Sequence, residues 1–155
     1  MSSNEIIIRR AVDGDLEAAH KLLAELGYPN LDRDEFATTF NAVLHHNEMV
    51  LLVAVEPSGR VVGLTSISHR PQLRLAGTFV TIDEFVVSSE ARGLGVGRKM
   101  LEEAKRVAES LNARRLELEQ NRARESYKRG FYFKNGFVEA DSAVLRLKED
   151  SAGKK

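Results

Sequence analysis

The chain has 155 residues, no cysteine and a formal net charge of zero, with 43% hydrophobic and 30% charged residues. This length and composition fit one globular domain, and the lack of cysteine excludes disulfides, thiolate metal sites and a cysteine nucleophile. The balanced charge argues against a general nucleic-acid binder. No apolar run reaches membrane-spanning length, and the N-terminus has no signal-peptide pattern. We therefore expect a cytoplasmic protein with no membrane contact, a domain over residues 1–148 and a disordered tail over 149–155.

Two helices are predicted early in the chain. Asp13 or Asp15 can cap the first helix, and Gly27 can end it. Asp32, followed three residues later by Glu35, is a variant of the capping box and predicts the start of the second helix. Each helix carries an apolar stripe at the helical period, which predicts one buried face on each helix.

Several short strands surround these helices. A turn over residues 57–60 predicts a hairpin, and a loop is expected from His69 to Gly77. The strand after the longest helix should lie parallel to the strand before it, because a helix connects them. A further short helix is predicted from Arg124 to Lys134. The whole pattern is α+β. The predicted strands are Ile6–Ile8, Met49–Val55, Val61–Ile67, Phe79–Val87, Arg115–Glu119, Phe137–Val138 and Ala143–Leu147.

The stretch from Thr81 to Leu111 is predicted as strand, glycine turn and long amphipathic helix. The turn contains Gly93, Gly95 and Gly97 directly before the helix. The first N–H groups of a helix have no partner within it, and the helix dipole places partial positive charge there. Glycines also let a phosphate approach the backbone closely. The stretch therefore predicts a phosphate site, the alternative being a purely structural turn.

The spacing excludes two common phosphate loops. A nucleoside-triphosphate loop needs Gly-Lys followed by Ser or Thr, whereas Gly97 is followed by Arg98 and Lys99. A dinucleotide fingerprint needs two residues between its last two glycines, whereas Val96 alone separates Gly95 from Gly97.

The turn resembles the acyl-CoA loop of the Gcn5-related N-acetyltransferase (GNAT) family. That loop reads Arg/Gln-x-x-Gly-x-Gly/Ala, which Arg92, Gly95 and Gly97 match. The resemblance implies a single-domain fold with a mixed, mostly antiparallel sheet of six to seven strands, about four helices and splayed central parallel strands. It also implies acetyl-CoA as co-substrate, an amine acceptor that is a small molecule or a peptide, and a homodimer. The cofactor-binding residues that it implies are Phe85, Val86 and Val87 in the strand and Arg92, Gly93, Leu94, Gly95, Val96, Gly97 and Arg98 in the turn.

Tyr132 is the first candidate catalytic residue. The family ends its last core helix with Tyr-x-x-x-Gly-Phe, which Tyr132, Gly136 and Phe137 reproduce. In the family this phenol points at the cofactor sulfur. The pKa of a phenol, near ~10, is close enough to that of a thiol, near ~8.5, for the phenol to protonate a departing thiolate. The alternative is a core tyrosine among phenylalanines.

Glu84 is the second candidate catalytic residue. An amine acceptor is mostly protonated at neutral pH and must lose a proton before it attacks a thioester. The family often carries paired acids where Asp83 and Glu84 stand. Strand alternation predicts that the two point to opposite faces of the sheet, so that one alone faces the acceptor. We choose Glu84, with Asp83 or water as the alternative.

Asn121, after the fifth predicted strand, is expected to contact the pantetheine arm by the same resemblance. Relatives in one branch read Arg-x-x-Ala-His-x-Phe-Tyr up to the tyrosine, whereas here no histidine is present and Gly130 is an apparent extra residue that a bulged or kinked helix would absorb. Basic residues cluster over residues 122–134, where a solvated face is the simplest interpretation and contact with the 3′-phosphate of the cofactor or with an anionic acceptor is the alternative.

The preferred function is an acetyl-CoA-dependent N-acetyltransferase that uses direct attack in a ternary complex. The alternatives are a non-catalytic acyl-CoA sensor and an RNA or protein interaction domain. We expect no metal site, because the four histidines show no ligand spacing.

Overall fold

The computed structural model describes residues 5–148, and the predicted tail over 149–155 lies outside this range. The chain divides by its contacts into two compact units, Met1–Glu119 and Gln120–Lys155. All five strands of the sheet and the three longer helices belong to the first unit.

The first unit is built on a sheet with the strand order β1-β2-β3-β4-β5. The first four strands pair antiparallel, and β5 pairs parallel with β4, as the helical connection predicts. The family resemblance suggested six to seven strands, whereas the described residues form five. The strands are β1 (Ile7–Arg10), β2 (Met49–Val55), β3 (Val61–Gln72), β4 (Gly77–Val87) and β5 (Arg115–Leu118).

Five α-helices are present in the described range, against about four expected. Gly27, at φ 124°, ends the first helix as predicted. The Asp32 carboxylate accepts hydrogen bonds from the amides of Asp34 and Glu35, which confirms the predicted cap. The helices are α1 (Leu16–Leu26), α2 (Arg33–Leu44), α3 (Val96–Ser110), α4 (Glu125–Lys128) and α5 (Phe131–Lys134).

The connection between β3 and β4 is shorter than predicted. The expected loop from His69 to Gly77 is wrong, because β3 runs on to Gln72 and β4 begins at Gly77. A single 3-10 turn over Leu73–Leu75 remains, followed by Ala76 in the left-handed conformation. The ladder of backbone hydrogen bonds extends almost to the turn, where it satisfies groups that a loop would leave to water.

Two apolar clusters cover the two faces of the sheet. On one face, α1 and α2 pack Leu22 and Phe40 against Leu51 and Val53 of β2. On the other face, α3 packs Met100 and its neighbours against Ala54 and Val62. The amphipathic pattern of α3 correctly predicted its buried stripe, because a helix on a sheet hides one face only.

Asp15 does not cap α1 through its side chain. Its buried carboxylate instead accepts two hydrogen bonds from the Arg9 guanidinium, at 2.8 and 3.1 Å, and one from the Val12 amide at 2.8 Å. Burial raises the pKa of Asp15, but these bonds outweigh it, so the pKa lies below its ordinary range. The Arg9–Asp15 ion pair thus links β1 to the start of α1.

The second unit departs most from the predictions. The single helix expected from Arg124 to Lys134 is two short helices, because Gly130 adopts φ 69° between them. The predicted strands Phe137–Val138 and Ala143–Leu147 are absent from the described residues, where this segment has no regular structure. A strand needs a partner for its backbone groups, and no partner strand pairs with this segment within residues 5–148.

Candidate active site

The glycine turn leaves open space beside its backbone at two glycines. Gly93 and Gly95 have φ angles of 84° and 78°, a region that glycine adopts without steric cost. A Cβ added at either position would meet no atom within 4 Å. Leu94 between them is 66% exposed, whereas Val96 is buried and anchors the start of α3.

The N-terminus of α3 follows directly. Gly95 is its N-cap and provides no side-chain cap for the first-turn amides. Arg92 and Arg98 are exposed, and neither forms an ion pair with any described residue. Lys99 is turned away, because its ammonium donates to the Ile6 carbonyl at 2.5 Å. The turn thus presents backbone donors and two arginines to solvent.

The pairing of β4 with β5 ends before the turn. Ile82 and Leu118 form the last pair, although β4 continues to Val87. On its other edge β4 remains paired with β3, from Phe85 opposite Thr65 to Val87 opposite Gly63. The edge of β4 that faces away from β3 therefore has no strand partner in the described chain over its last residues. An extended arm of a ligand can lie along such an edge.

A β-bulge lies where this pairing ends. Ile82 pairs with Ile67 and Glu84 pairs with Ser66, so Asp83 is the extra residue. Ser66 bonds to Glu84, and Ser68 bonds to the Asp83 carboxylate. Because Ser66 and Ser68 are two residues apart on one strand, they share a face of the sheet. The two carboxylates therefore lie on the same face, and the prediction of opposite faces is wrong, since the bulge interrupts the alternation.

Three hydrogen bonds join Glu84 to two hydroxyl residues of β3. The Ser66 hydroxyl donates to Glu84 Oε1, and Ser66 Oγ accepts from the Glu84 amide at 3.0 Å. Thr65 Oγ1 donates to the Glu84 carbonyl at 2.8 Å. Ser66 and Thr65 are 3% and 0% exposed. These contacts are absent from the sequence prediction, because no local spacing links residues of two different strands.

Asp83 has a different environment. The residue as a whole is exposed to solvent, but surrounding atoms partly desolvate its carboxylate. This partial burial raises the pKa of Asp83 above its ordinary range, and the hydrogen bond from Ser68 offsets part of the rise. Neither Asp83 nor Glu84 forms an ion pair within residues 5–148. Arg70, a cation farther along β3, stacks over the Phe79 ring at 5.0 Å.

Tyr132 lies in the second unit and is buried, with 8% of its surface exposed. Its ring meets Phe131 and Phe137 edge to face, at centroid distances of 5.0 and 5.9 Å. Burial raises the pKa of Tyr132 above its ordinary value, and the charge of Arg124 opposes this only in part. The phenol is therefore fully protonated at neutral pH.

Asn121 is exposed, and its side-chain oxygen accepts the Ala123 amide at 2.8 Å in a local turn. Among the basic residues nearby, Arg122 pairs with Glu139 at 2.6 Å and Lys128 with Glu125 at 3.8 Å. These pairs match the expectation of a solvated face.

No group of three side chains suited to a metal ion occurs among the described residues. Three histidines, His45, His46 and His69, do line one cavity of about 560 Å³ beside Arg10. None of the predicted site residues lines it. No helix within residues 5–148 is long and apolar enough to cross a membrane.

The chain is similar to known proteins in sequence and in fold. The model of the acetyltransferase (GNAT) family matches residues 12–131. An aminoalkylphosphonate N-acetyltransferase from Salmonella typhimurium is 29% identical over 133 residues, covering 86% of this chain and 85% of that protein. A solved structure described as a transcriptional regulator from Bacillus halodurans superposes with a TM-score of 0.84 at 25% identity, covering 94% of this chain and all of the other. A putative acetyltransferase from Agrobacterium tumefaciens gives 0.80 at 27% identity, covering 92% and 99%.

The family match and the named relative therefore define the class of protein as an acetyltransferase. The chain belongs to the GNAT acetyltransferase family, as its match over more than half of its length shows. Its relatives support N-acetyltransferase activity in general and do not favour a sensor or a nucleic-acid domain.

Proposed function

We propose that this protein transfers an acetyl group from acetyl-CoA to a primary amine by direct attack in a ternary complex. The observation that carries the proposal is the edge of β4 that β5 does not pair with beyond Ile82 and Leu118, on the strand that precedes the glycine turn. A pantetheine arm fits such an edge, and a diphosphate fits the amides at the start of α3. Acetyl-CoA supplies an acetyl group activated as a thioester.

The turn residues hold the cofactor in this proposal. The amides of Gly93, Leu94, Gly95, Val96 and Gly97 donate to the diphosphate, and the backbone of Phe85, Val86 and Val87 aligns the pantetheine arm. Arg92 and Arg98 add positive charge, and Asn121 contacts the arm. The open space at Gly93 and Gly95 supports these roles.

Glu84 is the proposed general base. Its carboxylate lies at the bulge where the β4–β5 pairing stops, beside the proposed position of the thioester. It accepts a proton from the ammonium form of the acceptor, directly or through water, so that the free amine attacks the carbonyl carbon. Asp83 is on the same face, and direct comparison of the two residues decides between them.

Tyr132 is the proposed general acid. The phenol is protonated at neutral pH, so it carries the proton that the departing sulfur needs, and burial, which raises its pKa, makes it a weaker acid than a free phenol. No covalent acyl-enzyme is required, since the chain has no cysteine. The acceptor is a small molecule or peptide amine. Aminoalkylphosphonates are among the amines to be tested, because one relative is named as an aminoalkylphosphonate N-acetyltransferase. We further propose a cytoplasmic homodimer.

Thiol release from acetyl-CoA across an amine library tests the proposal. Gly95→Trp fills the turn, and Gly59→Trp is the matched control, because Gly59 also has positive φ (92°) and open space. We expect amine-dependent release by the wild type and Gly59→Trp, with none by Gly95→Trp. Equal release by all three proteins would contradict the site, and no release with any amine would contradict the activity.

A further inference from the structure

The buried hydroxyl of Ser66 forms two hydrogen bonds, both with Glu84. It donates to the carboxylate oxygen Oε1 and accepts the Glu84 amide at 3.0 Å. Ser66 is 3% exposed, so water cannot replace these bonds if the hydroxyl is removed. Each bond alone would stabilise the sheet. The two together form a closed ring that fixes both the backbone and the side chain of one residue.

The bulge makes such a support necessary. An extra residue in a strand leaves local backbone groups without their regular ladder partners and lets the strand bend. At this bulge Thr65 Oγ1 binds the Glu84 carbonyl, and Ser66 Oγ binds the Glu84 amide. Without these hydrogen bonds, the side chain of Glu84 would lose rotamer freedom each time a substrate bound. A carboxylate that is already oriented avoids this cost.

We propose that Ser66 is a positioning residue, which holds the Glu84 carboxylate in the orientation that accepts the proton of the amine. This inference rests on the proposed function, in which Glu84 is the base. Ser66 touches neither reactant and acts only through Glu84. A misplaced catalytic group loses much of its effect even when it remains present.

The neighbouring Ser68 provides a matched control. It lies on the same strand and the same face, and its hydroxyl binds Asp83 rather than Glu84. The substitutions Ser66→Ala and Ser68→Ala remove the same atom at sites two residues apart. We expect Ser66→Ala to lower kcat about tenfold or more with little change in KM for acetyl-CoA. Ser68→Ala should change kcat less than about threefold.

A double-mutant cycle separates positioning from a structural effect. Kinetics are measured for the wild type, Ser66→Ala, Glu84→Gln and the double variant, with thermal unfolding of each. If Ser66 acts through Glu84, Ser66→Ala has no further effect on kcat in the Glu84→Gln background. If Ser66→Ala fails to fold, Ser66→Cys enters the same cycle, since a thiol is a much weaker donor. Ser66→Thr keeps the hydroxyl and should retain kcat.

Three results would overturn the inference. They are an unchanged kcat in Ser66→Ala, an equal loss from Ser66→Ala in the wild-type and Glu84→Gln backgrounds, and turnover that Glu84→Gln leaves unaffected. In all three the wild type still acetylates amines, so the proposed acetyl transfer stands, although the third result removes Glu84 as its base. A wild type that releases no thiol with any amine would instead remove the proposed function, and the inference with it.

Discussion

Ile82 of β4 lies opposite Leu118 of β5 in the last residue pair that joins these two parallel strands. Beyond this pair β4 continues without pairing to β5, first through the bulged Asp83 and then to Val87. The end of the pairing thus places an edge of β4 without β5, two carboxylates and a glycine turn within one stretch of the chain. The role of each feature can therefore be tested by substitutions within one strand and the turn that follows it.

The first prediction concerns cofactor binding. Gly95→Trp should abolish the heat of CoA binding in titration calorimetry, because the indole would occupy the open space of the turn and the positive φ of 78° disfavours any side chain. Gly59→Trp carries the same kind of backbone strain outside the turn and should bind CoA like the wild type. Tight binding by Gly95→Trp would show that the diphosphate lies elsewhere.

The second prediction concerns the base. Glu84→Gln should lower kcat/KM for the amine about 100-fold at neutral pH, whereas Asp83→Asn should lower it less than about threefold. The deficit of Glu84→Gln should shrink as the pH rises, because more of the amine is then already deprotonated. Initial rates between about pH 6 and 10 measure this. The reverse ranking of the two variants would make Asp83 the base.

The third prediction concerns the acid. Tyr132→Phe should lower kcat roughly 10- to 100-fold and leave the Kd for CoA within about twofold. Because burial raises the pKa of Tyr132, the phenol stays protonated up to the ordinary phenol value near ~10. Wild-type kcat should accordingly show no alkaline loss from this group below that pH. Ultraviolet titration of tyrosinate in the wild type and the variant checks the assignment.

The fourth prediction concerns stability. The Asp15 pKa lies below its ordinary value, so the unfolded state binds a proton more readily than the folded state. The stabilisation is complete above the unfolded-state pKa near ~3.9 and is lost as the pH falls through the lower folded-state pKa. Denaturant unfolding between about pH 2 and 7 should show this loss.

Arg9→Met isolates the ion pair. It should lower the free energy of unfolding by about 2 kcal/mol at neutral pH, because it leaves the buried carboxylate with fewer donors, although the exposed half of the pair moderates the cost. The difference should shrink as the pH falls through the folded-state pKa of Asp15, where the carboxylate becomes protonated. A constant difference at all pH values would assign the effect to the lost packing of the arginine stem.

The fifth prediction concerns the contact between β3 and α3. A Cβ added at Gly63 would lie 2.9 Å from Met100 Sδ and 3.2 Å from the Ala54 Cβ, and Met100 is fully buried. Gly63→Ala should therefore lower the free energy of unfolding by about 1–3 kcal/mol through overpacking. Combining it with Met100→Ala should cost less than the sum of the two single changes, as chemical denaturation can show.

Local sequence patterns predicted the glycine turn and the helices. Gly95 and the apolar stripe of α3 are neighbours in the chain, and their spacing reports helix geometry directly. The same logic placed the end of α1 at Gly27 and the cap of α2 at Asp32. It failed at Gly130, where a single left-handed residue divides a predicted helix in two. The backbone angle of one glycine is decided by its surroundings rather than by its neighbours in sequence.

The sequence by itself determined an α+β chain with a phosphate-type turn at the start of its longest helix, because these features arise from contacts between residues close in the chain. Only the tertiary structure decided that Asp83 and Glu84 share a face and that Ser66 holds Glu84. Those relationships depend on the register between β3 and β4 and on one extra residue within it. Register is set by cross-strand pairing and side-chain packing, which strand alternation alone cannot report.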